Sequence, residues 1–288
     1  MRTLITGGGG QLASDLETLL GDRARVYSRH ELDISDVAAL DRVFEEVDPE
    51  LVINCAAFHN VDVCEVERAR SWEVNVEAVR ELALRSPRLV HISTNYVFDG
   101  RREAPYAEDD LPVPRSVYAL TKLAGEHSAL TYAPHALVVR TGGLYGMHGS
   151  VSKGGNFVVR MTNRAREQRA LKMVSDQRLQ PTFTADLAAA IVGATEAGAE
   201  GLVHLTSSGA CSWHEFTEAI MQRAGLEDVP VEPVSTTIPP GGADRPLNGV
   251  LARPRTDALG LPALRPWDEA LTDYMDRAGL SVQAALTH

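Results

Sequence analysis

Short, mainly apolar runs recur along the first half of this chain, each followed by an amphipathic segment. RTLIT (2–6), ARVYS (24–28), LVINCAA (51–57), RLVHIST (88–94) and ALVVRT (136–141) read as strands. Between them, residues 11–20 place Leu12, Leu16, Leu19 and Leu20 on one helical face, and 117–130 reads as another helix. Ser35 is positioned to cap a helix running to Val47, with Val37, Leu40, Val43, Phe44 and Val47 at helical spacing. Strand–helix alternation of this kind forces right-handed crossovers and a parallel sheet. Strands apolar on both faces belong in a sheet covered on both sides. The expectation is therefore α/β: a doubly wound, Rossmann-type parallel sheet with a smaller C-terminal lobe. Residues 1–142 are expected to form the sheet domain, to which later segments return, and 143–288 mainly the lobe. Glycine- and proline-rich loops (146–156 and 238–246) and helices at 212–224 and 267–278 mark that second half.

At 288 residues the chain is long enough for one large domain or a domain plus a lobe. Its formal net charge of −11 opposes a phosphate-backbone partner, so nucleic acid is not expected. No apolar run reaches the ~20 residues of a membrane span, and no signal-peptide layout follows Met1. Cys55, Cys64 and Cys211 are too irregularly spaced for a zinc site or a disulfide framework. Free thiols and the absence of an address signal fit a cytoplasmic protein with no resident metal.

Gly7 to Gly10 sit between the first strand and first helix, giving G-x-x-G-x-x-A through Gly7, Gly10 and Ala13. Such a turn brings backbone N–H groups and a positive helix start against a pyrophosphate, and the small third residue lets helix and strand pack closely. An NAD site usually ends its second strand on an acidic residue. Ser28 and Arg29 stand there instead, and a hydroxyl with a guanidinium suits a 2′-phosphate. NADPH is the expected cofactor, with NADH still open. Asp33 and Ile34 are expected to flank the adenine.

Two further stretches carry chemistry. Ser93 and Thr94 end the fourth strand, and Tyr118 and Lys122 lie one turn apart on one helical face. An ammonium beside a phenol favours the phenolate, and a phenol so tuned exchanges a proton at a carbonyl or alcohol oxygen. Thr94 is placed to hydrogen-bond the same oxygen.

The glycine turn, the threonine and the Tyr/Lys pair resemble the extended short-chain dehydrogenases/reductases. STNYVFDG, YALTKLAGE, SDQRLQPT, GLVHLTSSG and RPWDEAL resemble, more closely, the dTDP-4-dehydrorhamnose reductase family along nearly the whole chain. The resemblance implies NADPH- or NADH-dependent reduction of the C4 ketone of a nucleotide-linked 6-deoxyhexose. It makes Tyr118 the proton donor, Lys122 its partner and Thr94 the group holding the carbonyl oxygen. It assigns cofactor contacts to Gly7, Gly10, Gln11, Leu12, Ser28, Arg29, Asp33, Ile34, Ala56, Ala57, Phe58, Tyr118 and Lys122. It places Thr94, Asn95, His59, Val61, Gly143, Asn156 and Arg245 toward the substrate, with Asn156 equally readable as a helix cap and Arg245 as a surface ion pair. Asn75 resembles the helix asparagine that steadies the family's active-site strand. A homodimer is compatible with it.

Four departures from the family pattern lie on the sugar side. Asn95 replaces a common aspartate, Gly143 a common tryptophan, His59 and Asn60 smaller residues, and Leu179 or its neighbours a glycine. The hydride chemistry is thus expected to persist with the sugar left open. Two alternatives follow from the same residues: a reductase or epimerase of another nucleotide sugar, and a non-catalytic NADP(H)-binding regulatory subunit.

Overall fold

A computed structural model describes residues 1–148, 155–168 and 170–282; the central part of the glycine-rich loop expected at 146–156 lies outside them. Six strands form one parallel sheet: β1 (Thr3–Gly8), β2 (Ala24–Ser28), β3 (Leu51–Asn54), β4 (Leu89–Thr94), β5 (Ala136–Thr141) and β6 (Gly201–His204). Their spatial order is β2-β1-β3-β4-β5-β6. The chain crosses from β1 outward to β2, then back past β1 to β3. The switch point, where an open α/β sheet leaves a crevice at its carboxyl edge, therefore lies between the ends of β1 and β3.

Successive strand residues serve opposite helix layers because side chains alternate across a strand. Ile5, Ile53, Val90 and Val139 join a core with Leu12, Ala13 and Leu16 of α1 (Gln11–Leu20) and Leu187 and Ile191 of α8 (Thr184–Glu196). Leu4, Val52, Leu89 and Val138 face the other layer. There they meet Leu40 and Val43 of α2 (Val37–Val47), Val79 and Leu82 of α5 (Ala78–Arg85) and Ala129 of α6 (Val117–Tyr132). A third cluster, with Tyr145, Phe183, Phe216, Leu271 and Tyr274 at its centre, holds α7 (Phe157–Glu167), α9 (Trp213–Arg223) and α11 (Trp267–Arg277) together. The chain enters that cluster after β5 and returns to the sheet through α8 and β6.

Two local readings change. Ser35 does not cap α2: the Asp36 carboxylate accepts from Ala39 N–H, while Ser35 bonds Asp33. The helical run after β3 is broken into α3 (Val61–Val66), α4 (Arg68–Trp72), a π-turn over Glu73–Glu77 and then α5. Gly125 of α6 fits beneath that π-turn, since a Cβ on it would overlap the Asn75 carbonyl oxygen. The five-residue helix Pro254–Ala258 (α10) packs beside β6. Among the described residues no helix is long and apolar enough to cross a membrane.

Helix α6 is fixed to the sheet by a buried ion pair. Arg140 of β5 donates to Glu126 through Nε at 2.9 Å and Nη2 at 2.7 Å, and the Ser93 hydroxyl donates to Glu126 at 2.5 Å. Both charged side chains are 3% exposed. Glu126→Gln leaves the Arg140 charge buried without its counter-ion, and loss of one partner of such a pair costs about 3–5 kcal/mol. Urea denaturation of that variant should show a loss of this size.

Candidate functional site

The four glycines divide their work. Gly7, with φ +81°, abuts β3: a Cβ there would stand 2.7 Å from Ala56 N. Gly9 is also left-handed, at φ +78°, but a Cβ on it would meet nothing, so its face of the turn is open. Gly10 is the N-cap of α1 and supplies no side-chain cap. Helices α2, α6, α7 and α9 are each capped by a side chain, from Asp36, Ser116, Asn156 and Ser212. The first-turn N–H groups of α1 are thus left to an external acceptor, which is what an anion at a helix start requires. Beside them the Gln11 Oε1 atom is buried without a partner. An uncapped helix start, an open left-handed glycine and an orphaned amide oxygen fit a dinucleotide pyrophosphate.

The adenosine end is partly rearranged relative to expectation. A carboxylate does stand at the end of β2: Glu31 accepts from the Ser28 N–H at 2.8 Å and from its hydroxyl at 2.7 Å. Arg29 remains exposed, with Asp33 at 3.7 Å. Burial raises the Asp33 carboxyl, but hydrogen bonds from Ser35 and Arg70 outweigh it and bring the pKa to about 2. Leu12 and Ile34 correct the sequence reading, because both side chains are buried in the core and only their backbone can meet a ligand. Ala56 and Phe58 are positioned by side-chain amides. Asn54 Oδ1 accepts from Ala56 N–H, and Asn75 brackets Phe58 through both its N–H (2.9 Å) and its carbonyl (3.0 Å). Ala57 lies between them. Asn75 thereby steadies the loop after β3 rather than a strand.

Thr94 and Tyr118 come from distant segments to lie side by side, near enough for the hydroxyl to influence the phenol. Burial pushes the Tyr118 phenol above its ordinary value, with Thr94 pulling in the other direction. The expected depression by Lys122 is absent from this arrangement. Lys122 Nζ donates to the Ile92 carbonyl at 2.7 Å and lies 3.2 Å from His91 Nε2. Burial lowers its own pKa to about 8. His91 Nδ1 in turn meets Asn54 Nδ2 at 3.1 Å, and Asn54 Oδ1 accepts from the Thr6 hydroxyl. This chain of polar groups under the site was not anticipated, although Asn54 and His91 interrupt otherwise apolar strands.

On the sugar side the structure relocates several residues. Asn156 is 4% exposed and caps α7, and its amide nitrogen donates to the Gly146 carbonyl and the Tyr274 hydroxyl. Both ends of its amide are thus engaged within the lobe, the helix-cap role that its sequence position also allowed. Asn95 is also buried, turned onto the Gly249 carbonyl. Gly143 has φ +62°, and a Cβ would stand 3.0 Å from the Gln180 carbonyl oxygen. The position commonly held by tryptophan is here a tight left-handed turn. Leu179 is buried. His59 and Val61 lie in the approach to α3 and its first residue, and Asn60 caps that helix. Arg245 Nη2 bonds Asp62 of α3 at 2.6 Å and also reaches the Tyr96 phenol. The Tyr96 ring meets Tyr118 edge-on at 6.0 Å, so Arg245 stands one ring away from the Tyr118 phenol. Tyr96 and Asp62, neither singled out from the sequence, complete this cluster. A surface concavity of about 600 Å³, lined by Glu108, Gly201 and Arg255, opens at the start of β6, away from the carboxyl ends of the strands.

The RmlD substrate binding domain family model matches residues 1–279. A dTDP-4-keto-6-deoxy-D-glucose reductase of Streptomyces niveus is 37% identical over 94% of this chain and 95% of the relative. A dTDP-4-dehydrorhamnose reductase of Streptomyces griseus is 38% identical over 94% of this chain and 92% of its own length. The crystal structure of a dTDP-4-dehydrorhamnose reductase from Bacillus anthracis in complex with NADP superposes with a TM-score of 0.89. It is 32% identical, covering 96% of this chain and 99% of that one.

Lys122 links the site to stability. Its folded pKa lies below the ordinary 10.5, so burial disfavours the charged form. Below about 8 the lysine is charged in both states and the full penalty applies; between about 8 and 10.5 the penalty fades as pH rises. Lys122→Met should therefore be about 2–3 kcal/mol more stable than wild type at pH 7, with the gain shrinking toward pH 10. Chemical denaturation across that range tests the sign.

Proposed function

The chain belongs to the RmlD family of extended short-chain dehydrogenases/reductases, and from that premise we propose that it reduces the C4 ketone of a dTDP-linked 4-keto-6-deoxyhexose with NADPH. The observation that carries the reading is the convergence of Thr94 and Tyr118 at the carboxyl edge of the sheet, with Lys122 one helical turn below and the uncapped glycine turn across the switch point.

Gly9, the first turn of α1 and Gln11 would hold the pyrophosphate, and Lys122 would hold a ribose hydroxyl. When bound, NADPH supplies the hydride that reaches the carbonyl carbon. Tyr118 gives the proton to the carbonyl oxygen. Its raised pKa keeps the phenol protonated at neutral pH, so a proton is present to give. The Thr94 hydroxyl, whose proton lies toward Asn95 Oδ1 before substrate binds, turns that proton to the same oxygen. Arg245, held by Asp62 at the rim, presents a guanidinium suited to diphosphate oxygens. Arg29, at the surface beyond β2, is the cation available to a 2′-phosphate. The reading places the enzyme in the cytoplasm, with Cys55, Cys64 and Cys211 as free thiols.

Steady NADPH oxidation across a panel of dTDP- and UDP-linked 4-ketosugars tests this. A dTDP-4-ketosugar should be consumed with stoichiometric NADPH. Sugar turnover without net NADPH loss would instead indicate an epimerase. No turnover, together with a co-purifying partner, would indicate a regulatory subunit. Tyr118→Phe should lower kcat by about 10²–10⁴ while NADPH affinity changes less than about twofold. Arg29→Ala should weaken NADPH about tenfold, equivalent to ~1.4 kcal/mol, and leave NADH nearly unchanged.

A further inference from the structure

Asn95 follows directly on Thr94, and its side chain is 5% exposed. Nδ2 donates to the Gly249 carbonyl at 2.8 Å, and Oδ1 accepts from the Thr94 hydroxyl at 3.4 Å. Two glycines bracket the amide. A Cβ on Gly142 would stand 2.6 Å from Oδ1, and one on Gly249 would stand closer still to Nδ2.

The two partners make opposite demands. A carbonyl oxygen only accepts, whereas the Thr94 hydroxyl proton needs an acceptor. Asparagine has one donating and one accepting end, while an ionised aspartate has two acceptors. Gly249 itself is tightly held. Its N–H donates to the Arg178 carbonyl at 2.9 Å, and Asn248 N–H to the Gly100 carbonyl at 3.1 Å. Leu251 N–H donates to Gln180 Oε1 at 2.8 Å. Asn95 thus connects the residue beside the reacting phenol to a crossing of three segments far apart in sequence.

We infer that Asn95 is a positioning residue: its neutral amide locks the end of β4 to the Gly249 carbonyl and so fixes the Thr94 hydroxyl beside Tyr118, rather than reading the sugar. The inference rests on the reductase reading for its kinetic arm and on geometry alone for its stability arm. It also accounts for the departure at this position. A buried carboxylate facing the Gly249 carbonyl is unfavourable unless protonated, and a protonated acid again has one donor and one acceptor. The ionisable groups on the surrounding elements leave that balance intact. The Tyr96 and Tyr118 phenols stay protonated as burial raises both. Glu126 and Arg140 neutralise each other. The Arg178 side chain is exposed, and only its backbone joins the crossing, its N–H donating to the Leu247 carbonyl and its carbonyl accepting from Gly249.

The test compares Asn95→Asp, Asn95→Ala and Gly142→Ala with wild type, using NADPH and the best 4-ketosugar. Burial raises the folded pKa of the introduced acid, so Asn95→Asp should work at low pH and fail as pH rises. Its kcat relative to wild type should fall at least tenfold between pH 6 and pH 8.5, with KM for NADPH unchanged. Asn95→Ala should be depressed to the same degree at every pH. Gly142→Ala, which presses a methyl group onto Oδ1, should lower kcat without moving KM for NADPH. Melting temperatures need no substrate: the deficit of Asn95→Asp should grow with pH over the same window, while that of Asn95→Ala stays constant. A pH-independent kcat ratio and melting deficit for Asn95→Asp would overturn the inference. So would a change confined to KM for the ketosugar, or an unaffected Gly142→Ala. If wild type turns over no ketosugar, the functional reading fails, and the melting arm still decides the role of Asn95.

Discussion

Helix α6 carries both Tyr118 and Lys122, and its hold on the sheet is the constraint on which the site depends. The hold is polar and buried. Glu126 is gripped by Ser93 from β4 and Arg140 from β5, and one turn earlier Lys122 is anchored on the Ile92 carbonyl. A helix packed only by apolar contacts can slide or rotate at modest cost. One whose charges are matched inside the protein cannot, because any displacement leaves a charge desolvated and unpaired. Tyr118, one turn beyond Lys122 toward the sheet's carboxyl edge, is therefore delivered to Thr94 in a single register.

The same arrangement sets the chemistry of the two ionisable groups. Burial favours the neutral form of each, so the phenol keeps its proton and the lysine approaches the point of losing one. A protonated phenol is what a ketone reduction draws on. The lysine, by contrast, is held in an unfavourable environment by its neighbours, and removing its charge should stabilise the fold while harming the site.

The cofactor side and the sugar side are built on different principles. Around the glycine turn, polar groups are left unsatisfied: the first-turn N–H groups of α1 have no cap and Gln11 Oε1 has no partner. Among the residues that the sequence directs toward the substrate, the distinctive ones are satisfied internally. Asn95 is matched to Gly249, Asn156 to Gly146 and Tyr274, and Gly143 is committed to a left-handed turn. Substitutions that resemble changes in substrate contacts are here adjustments between segments of the same chain.

Sequence by itself determined what depends on near neighbours. The bounds of β2 and β5, the helix at 11–20, the glycine turn and the Tyr118/Lys122 face follow from alternation, helical period and φ preference, all of which act over a few residues. Even locally it erred where two side chains compete for one role, as Ser35 and Asp36 do for the α2 cap. Tertiary structure alone decided the rest. It placed Gly201–His204 as the sixth strand, turned Asn95 onto a carbonyl 154 residues later, set Glu31 against Ser28, and joined Asp62 to Arg245 across 183 residues. A residue's type states which hydrogen bonds it is able to make. Which partner it meets, and whether water remains to compete, is settled only when distant segments are packed together.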